Sequence, residues 1–555
     1  MKKLLPLVLF VLLFSVASFG QVQVTVGPYL QSPTPSGIKI MWRTDSLTSA
    51  KVMYGTDKAN LNQLVEDTTQ RTKHMITLTG LSPYTKYYYA IYSGSTMLEG
   101  ADEQHWFRTF PTPGTELPIR VWAIGDFGKG NSKQSKTRDA YLNFDTVETN
   151  LWLWLGDNAY SDGTEQEYLT KVFDSVYGYK NNMKYMPFIP CPGNHDYNSV
   201  SPIVSPTPPL THSGPYYDFI EGYRNAEAGG VATGHELFFS FDYGNAHFVS
   251  LNTEIGSLFN VNDDWTGVNL FNTFNGSPMT QWLHQDLQAN TKPWVIVYMH
   301  QPPYTDGSHE SGAFYEVYMK AMRQNFAPIW EQYGVDVVIC GHTHVYERSY
   351  LVKGAYGNAS DITLFNFIST DSGIDSLGEA YVKYTQGSNA NQGTVYVNNG
   401  NSGSSESSAN FNHPYMYSEY GCDTCCGSFV MDINGNRLDG RHLDMDGNIR
   451  DHFTMYKING TGISNVSGNA HALKVIPNPF RKSANVQFEL KQQERIVITL
   501  TDVSGKVMEV FTGELHAGNN SVEIDADKFQ LPAGVYVLQL SGSNATSFTT
   551  VVKIN

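Results

Sequence analysis

Charged residues are scarce in this 555-residue sequence and make up only 16% of it. The sequence has 37 lysines and arginines but 53 aspartates and glutamates. The formal net charge of −16 argues against a protein that binds a nucleic-acid polymer, because such proteins carry a basic face. A small phosphorylated substrate stays possible, since a bound metal ion can reverse the local potential.

Long apolar runs are missing beyond the N-terminus, so we predict no transmembrane segment in the mature chain. The apolar run over residues 4–16 follows two lysines and precedes small residues, a pattern typical of a cleaved secretory signal. We therefore assign residues 1–20 to a signal peptide and expect an exported protein.

Cysteine is also scarce, with five residues, an odd number for an exported chain. Cys191 and Cys340 each end an apolar run, which favours small buried side chains over a disulfide. Cys422, Cys425 and Cys426 form a tight cluster, interpreted first as one disulfide plus a free thiol and second as a metal site.

The length predicts two to four domains, and composition changes along the chain separate them. Residues 22–111 contain short alternating strands at the spacing of a small β-sandwich, and "LSPYTKY" resembles the tyrosine corner of fibronectin type III domains. Residues 458–472 are rich in glycine, asparagine and serine and predict a linker, and residues 473–555 are again β-rich.

Residues 118–457 differ from both ends because their apolar strands are uniformly apolar, which is typical of strands buried on both faces. Between the strands, residues 167–179 and 316–334 have helical spacing, with Gly334 at a helix end. Strands that alternate with helices predict a layered α/β domain.

Five of these strands end in side chains that can bind metals: "VWAI" precedes Asp126, "LWLWL" Asp157, "FIPCP" Asn194, "WVIVYM" His300, and "VDVVIC" His342 and His344. Ligands bind at the carboxyl edge of an α/β sheet, so we expect these side chains to converge. Oxygen and imidazole donors fit hard to borderline first-row ions. Because the donors outnumber the needs of one tetrahedral ion, we expect two ions.

The motifs "GDFG", "GDNAY", "GNHD", the histidine after "WVIVYM" and "GHTHVYER" occur in an order that resembles the metallophosphoesterase superfamily. Within it they resemble the purple acid phosphatases, which also place a fibronectin-like domain ahead of the catalytic one. The resemblance covers about residues 22–457. It implies an α-β-β-α sandwich, preceded by a small β-sandwich and followed here by a β-sandwich domain.

The same resemblance implies a site of two metal ions. Asp126, Tyr160 and His344 would hold a ferric ion, while Asn194, His300 and His342 would hold a divalent ion of iron, zinc or manganese. Asp157 would bridge the two ions.

The resemblance also makes His195 and His309 the groups that bind phosphate or protonate the leaving alkoxide. His309 has Ser308 and Glu310 as neighbours, where plant-type members have an adjacent pair of histidines, so a solvated loop histidine stays an alternative. For Glu347 and Arg348 we predict an ion pair that holds the loop.

The C-terminal motifs "IPNPF", "LTDVSGKV", "LPAGVYVLQL" and "VVKIN" resemble the type IX secretion sorting domain of Bacteroidetes. The resemblance covers residues 473–555 and implies passage through the periplasm to the type IX machinery, followed by secretion or attachment to the cell surface. An accessory carbohydrate-binding domain is the alternative, and the few clustered aromatic residues do not favour it.

Together these features predict an exported acid phosphatase that hydrolyses small phosphate monoesters by attack of a metal-bound hydroxide, with His195 and His309 assisting the leaving group. A phosphodiesterase or a nucleotide or phytate hydrolase would use the same site and differ in the loops over residues 198–214 and 252–278. A surface adhesion protein on an inactive phosphatase scaffold predicts missing ligands, and the sequence lacks none of them.

Overall fold

Three groups of strands follow one another in the computed structural model of the protein, over residues 24–108, 119–461 and 473–553. The predicted signal peptide, most of the predicted linker and most of the two loops over 198–214 and 252–278 lie outside the described part. The structure describes residues 21–199, 214–254, 277–307, 309–313, 316–387, 389–406, 411–417, 421–422, 424–461, 473–502, 506–542 and 546–554.

The first group forms a small β-sandwich around one long strand. That strand, β2, pairs with β1 and β3 along its first half and with β3 and β4 along its second half. The Tyr87 hydroxyl accepts a hydrogen bond from the backbone N–H of Ser82 at 3.1 Å, which closes the predicted tyrosine corner. The strands are β1 (Val24–Thr34), β2 (Gly37–Gly55), β3 (Gln63–Thr79), β4 (Lys86–Ser93), β5 (Thr96–Gly100) and β6 (Trp106–Arg108).

The second group forms two large mixed sheets. The first sheet has the order β17-β21-β20-β19-β7-β8-β9 and the second β10-β11-β12-β13-β18-β14, while β15 and β16 pair separately. The strands are β7 (Ile119–Ile124), β8 (Leu151–Leu155), β9 (Phe188–Cys191), β10 (Phe239–Tyr243), β11 (Ala246–Ser250), β12 (Trp294–Met299), β13 (Val337–Cys340), β14 (Tyr346–Arg348), β15 (Leu351–Val352), β16 (Phe367–Ser369), β17 (Tyr381–Gln386), β18 (Val395–Asn399), β19 (Gly427–Asn434), β20 (Arg437–Asp444) and β21 (Ile449–Thr461).

Helices cover the outer faces of both sheets, which confirms the predicted α-β-β-α layering. Apolar side chains of the two sheets meet in one buried core between them. Leu283 and Trp330 pack on the second sheet, and Tyr141 stacks on Trp122 of the first. The α-helices are α1 (Ser132–Leu142), α2 (Glu165–Glu167), α3 (Pro215–Phe219), α4 (Pro278–Ala289), α5 (Val317–Ala321) and α6 (Ala327–Tyr333).

The two helices expected from spacing differ in outcome. The helical stretch predicted over residues 316–334 forms as α5, a π-helical turn and α6. Gly334 ends it with a left-handed φ of 72°. The stretch over 167–179 is helical only to residue 172. It stops there because the Asp174 carboxylate accepts hydrogen bonds from the backbone N–H groups of Val176 and Tyr177, which turns the chain.

The cysteines follow the first interpretation of the sequence. Cys422 and Cys425 form a disulfide, while Cys426 is a buried free thiol. Cys191 and Cys340 are buried and unpaired at the ends of β9 and β13.

The predicted ion pair between Glu347 and Arg348 is wrong. The two residues are neighbours on β14, so their side chains point to opposite faces of the strand. Glu347 accepts a hydrogen bond from the Thr305 hydroxyl at 2.6 Å, whereas the Arg348 guanidinium pairs with Asp451 at 2.7 Å.

The third group forms a sandwich of a three-stranded sheet, β22-β23-β26, and a four-stranded sheet, β25-β24-β27-β28, around its own core. Its strands are β22 (Leu473–Ile476), β23 (Ser483–Leu490), β24 (Glu494–Asp502), β25 (Val507–Leu515), β26 (Gly518–Asp525), β27 (Gly534–Ser541) and β28 (Thr546–Lys553). Among the described residues of the whole chain, no helix is long and apolar enough to cross a membrane.

Candidate metal centre

The carboxyl ends of parallel strands from both sheets meet at one place. Strands β7, β8 and β9 run parallel in the first sheet, and β12 and β13 run parallel in the second. The backbone N–H of His342, after β13, donates to Asp126 Oδ2, after β7, at 2.8 Å. The strand-end side chains predicted from the sequence therefore converge.

The backbone at this place is strained. Asp126, Asp157 and His342 have left-handed φ angles of 56°, 49° and 71°, which non-glycine residues rarely adopt. Gly193 lets the chain pass close to the carboxylates, because a Cβ atom there would lie 2.3 Å from Asp157 Oδ1. Such turns aim the side chains at one point rather than along the strands.

The Tyr160 hydroxyl is the centre of one half of the site. It donates toward Asp126 Oδ1 at 2.7 Å and Asp157 Oδ2 at 2.8 Å, and it lies 3.0 Å from His344 Nε2. Tyr160 is 4% exposed, so this contact is shielded from water. One phenol oxygen, two carboxylates and one imidazole thus share a single small volume.

Asn194, His300 and His342 form the other half of the site. The Asn194 Oδ1 atom lies 3.1 Å from both His300 Nε2 and His342 Nδ1. Asp157 Oδ1 lies 3.3 Å from His300 Nε2, so Asp157 reaches both halves. His342 Nε2 is buried and has no hydrogen-bond partner among the described residues.

Two imidazoles are held from behind by oxygen acceptors. His300 Nδ1 lies 2.9 Å from the backbone carbonyl of Leu155, and His344 Nδ1 lies 2.7 Å from Glu406 Oε1. An acceptor at one ring nitrogen orients the ring and leaves the other nitrogen, here Nε2, facing the site.

Burial and the carboxylates of the site shift the pKa values of its histidines and its tyrosine. Burial opposes protonation of His300, but Asp157 and Asp126 outweigh it and raise the pKa of His300 well above its usual value. Burial also opposes protonation of His344, yet hydrogen bonds to Asp126 and Glu406 raise its pKa to about 9. Burial and the two aspartates raise the pKa of the Tyr160 phenol well above 10. Metal ions that bind such a set displace these protons.

The donor set fits two cations better than it fits a purely structural cluster. Ligand atoms of Asp126, Asp157 and His300 lie within 4.8 Å of one another. Buried carboxylates need cationic partners, and the His342 Nδ1 atom, 3.1 Å from Asn194 Oδ1, offers one more ligand atom. Hard oxygens and imidazoles without thiolates suit first-row transition metals.

The two predicted acid–base histidines lie on the rim. His195 Nε2 is 3.8 Å from Asp157 Oδ2, and 31% of its side chain is exposed. The His309 ring lies 4.4 Å from the His342 ring, centre to centre, so it lies beside the site. His309 Nδ1 is 2.7 Å from Glu316 Oε1, and this hydrogen bond raises the pKa of His309.

Sequence reasoning missed three residues at this place: Lys129, Glu316 and Glu406. Glu316 and Glu406 support His309 and His344, and the Lys129 ammonium lies over the Tyr160 ring. None of them follows the end of a predicted strand directly, so the pattern that identified the other residues carries no signal for them.

Three known protein families match successive parts of the chain. They are "Purple acid Phosphatase, N-terminal domain" over residues 23–109, "Calcineurin-like phosphoesterase" over residues 119–346, and "Secretion system C-terminal sorting domain" over residues 474–554. The sorting domain indicates a protein that is secreted or displayed at the cell surface.

The individual proteins that resemble the chain in sequence share about a quarter of their aligned residues with it. Purple acid phosphatase 1 of Ipomoea batatas is 27% identical over 61% of this chain and 66% of its own length. The Fe(3+)-Zn(2+) purple acid phosphatase 12 of Arabidopsis thaliana is 24% identical over 59% of this chain and 64% of its own length. The chain thus spans less than two thirds of these relatives. A purple acid phosphatase structure from Lupinus luteus seeds shares the fold, with a TM-score of 0.51, 16% identity, and coverage of 78% of this chain and 74% of that one.

Proposed function

We propose that this chain, a purple acid phosphatase-like member of the calcineurin-like phosphoesterases, hydrolyses phosphate monoesters with the help of two metal ions. The observation that carries the proposal is the position of Asp157. Its Oδ2 atom contacts Tyr160 at 2.8 Å, while its Oδ1 atom lies 3.3 Å from His300, so one carboxylate faces both halves of the site. A carboxylate in that position can bridge two cations.

We assign the two halves to different ions. Asp126, Tyr160 and His344 would hold a ferric ion, because a phenolate is a hard anionic donor. Asn194, His300 and His342 would hold a divalent ion of iron, zinc or manganese. One curated relative carries Fe(3+) and Zn(2+) in its name, which agrees with such a mixed pair.

Two bound metal ions would supply a nucleophile generated from water and would neutralise charge on the phosphate oxygens. The chain itself supplies orientation and protons. His195 has its Nε2 atom 3.8 Å from Asp157 and an exposed edge, so it can contact the phosphate or the leaving alkoxide. An imidazole can donate a proton at mildly acidic pH, which favours acid phosphatase activity.

His309 is the second proposed proton donor. It lies on the rim next to His342, and Glu316 orients its Nδ1 atom. The Nε2 atom of His309 is then the one available to a substrate, since Nδ1 is engaged. This hydrogen bond favours a role in the site over the alternative of a loop histidine that is merely solvated.

We also propose that residues 473–555 engage the type IX secretion machinery. The support is the sorting-domain match and the separate core of this sandwich, which lets it be recognised as a unit. The enzyme would then act on small phosphorylated molecules outside the cell or at its surface.

The function is tested on full-length protein purified without chelator. We expect two metal ions per chain by elemental analysis, and faster hydrolysis of an aryl phosphate monoester than of the matching diester. A faster diester reaction would assign the site to a phosphodiesterase. If the protein, reconstituted with iron and zinc, hydrolysed neither ester, the proposal would fail.

The change Tyr160→Phe tests the ferric assignment. We expect the visible absorption of the metal-loaded protein to disappear, because a phenolate–Fe(III) charge-transfer band requires the phenol oxygen. The fold should persist, since only the hydroxyl is removed and the ring stays in place. The measurement is the visible spectrum beside far-ultraviolet circular dichroism. Unchanged absorption would remove Tyr160 from the metal ligands.

A further inference from the structure

Lys129 is the one lysine near the site without a polar partner among the described residues. Its ammonium lies 3.0 Å from the centre of the Tyr160 ring. No described carboxylate oxygen lies within 4.0 Å of this ammonium, the distance limit for an ion pair. The neighbouring lysines differ: Lys133 donates to the Ser405 hydroxyl at 3.0 Å, and Lys171 pairs with Glu167 at 3.1 Å. A half-buried ammonium without an anion is costly to keep.

Burial lowers the pKa of Lys129 and Lys171 repels its charge, while the opposing attraction comes from carboxylates at the metal centre. The carboxylates of Asp126, Asp157 and Glu406 attract it through space. Cations bound by Asp126 and Asp157 would neutralise those two carboxylates, so the ammonium would lose most of its compensating charge. An anionic group brought in by a substrate could then replace it.

The location restricts which anion this can be. Lys129 lies against the ring of Tyr160, whose hydroxyl contacts the carboxylates of Asp126 and Asp157, so one aromatic ring separates its charge from the proposed metal site. Beside His342, the rim carries His309 and the acidic Glu316. Lys129 therefore places a positive charge beside the proposed metal site rather than within it.

From this position and from the lack of a described polar partner, we propose that Lys129 is a specificity-determining residue that contacts a second anionic group of the substrate, next to the phosphate that is hydrolysed. The inference rests on the proposed function and narrows its substrate class. It favours phosphate esters and anhydrides whose leaving group carries a carboxylate or a further phosphate near the scissile bond. Esters with a neutral leaving group would gain nothing from Lys129.

The test measures binding by calorimetry on metal-loaded full-length protein. The probes are methylphosphonate, with one anionic group, and phosphonoacetate, which adds a carboxylate one carbon away. The unaltered protein is expected to bind phosphonoacetate more tightly. K129Q should weaken phosphonoacetate about tenfold, the size of one charge-assisted hydrogen bond, and leave methylphosphonate within about twofold.

Two variants serve as controls. K129R retains the cation and should keep the preference for phosphonoacetate. K136Q removes an exposed lysine from the same segment and should change neither affinity. Metal content is measured for each variant, so that a lost ion is not mistaken for a lost contact.

The outcomes separate the two proposals. If the unaltered protein binds methylphosphonate but shows no preference for phosphonoacetate, this inference is wrong while the proposed function stands, whatever the variants do. Equal weakening of both probes by K129Q would likewise overturn it, because Lys129 would then only support Tyr160. If neither probe binds the metal-loaded protein, the proposed function itself fails.

Discussion

Replacing Asp157 with asparagine is expected to lower phosphate monoester hydrolysis by at least about a thousandfold, since changes to groups that merely support metal ligands already cost about 10- to 100-fold. Burial works to raise the pKa of Asp157, but the neighbouring His300 imidazole outweighs it and holds the pKa below its usual range. The carboxylate is therefore charged across the working pH range. Asparagine keeps its shape and removes the charge that two cations would share.

Metal content is the second readout for Asp157→Asn. We expect the number of ions per chain to fall from two to one or none. The matched control is Asp162→Asn, an exposed residue in the same loop, which should retain both ions and full activity. Two ions and unchanged turnover in the Asp157 variant would exclude a bridging carboxylate at this position.

Replacing Asp451 with asparagine is expected to destabilise the catalytic region by about 3–5 kcal/mol, because it leaves a buried arginine without its counter-ion. Both side chains of the Arg348–Asp451 pair are 1% exposed, and the guanidinium contacts the carboxylate through Nε at 2.7 Å and Nη2 at 3.0 Å. The same carboxylate accepts a hydrogen bond from the Tyr346 hydroxyl at 2.7 Å.

Tryptophan fluorescence during urea unfolding measures this effect, since the buried Trp122, Trp152 and Trp294 all lie in the catalytic region. Asp439→Asn is the control: it breaks a more exposed pair with Arg437 and should cost about 1 kcal/mol or less. A similarly small loss for Asp451→Asn would mean that the buried pair does not hold β14 in place.

The link between β14 and the site makes this second prediction informative about function. β14 begins two residues after His344, so a loosened Arg348–Asp451 pair also loosens the loop that carries two of the proposed ligands. In the Asp451→Asn variant we expect the free energy of unfolding to fall while activity is largely retained. In the Asp157→Asn variant we expect activity to fall while the free energy of unfolding is largely retained.

Much of the site could be predicted because its residues follow strands that are recognisable by themselves. Uniformly apolar runs such as "LWLWL" and "WVIVYM" are typical of strands buried on both faces, and the parallel ones end at the same edge of their sheets. Asp126, Asp157 and His300 follow such runs directly, so their convergence required no knowledge of distant contacts.

Other features depended on contacts between segments far apart in the chain. Glu347 and Arg348 are adjacent and of opposite charge, yet strand alternation separates their side chains and gives Arg348 a partner 103 residues away. The helix expected over 167–179 ended early because a local side chain, Asp174, offered the backbone another set of hydrogen bonds.

The sequence by itself determined the order of the domains, the buried strands and the donors at their ends, because burial and periodicity are local properties of the chain. Only the tertiary structure decided which charges support the site. Lys129, Glu316 and Glu406 lie in connecting segments, and the folding of two sheets against each other, rather than any local pattern, brings their charges to the same centre.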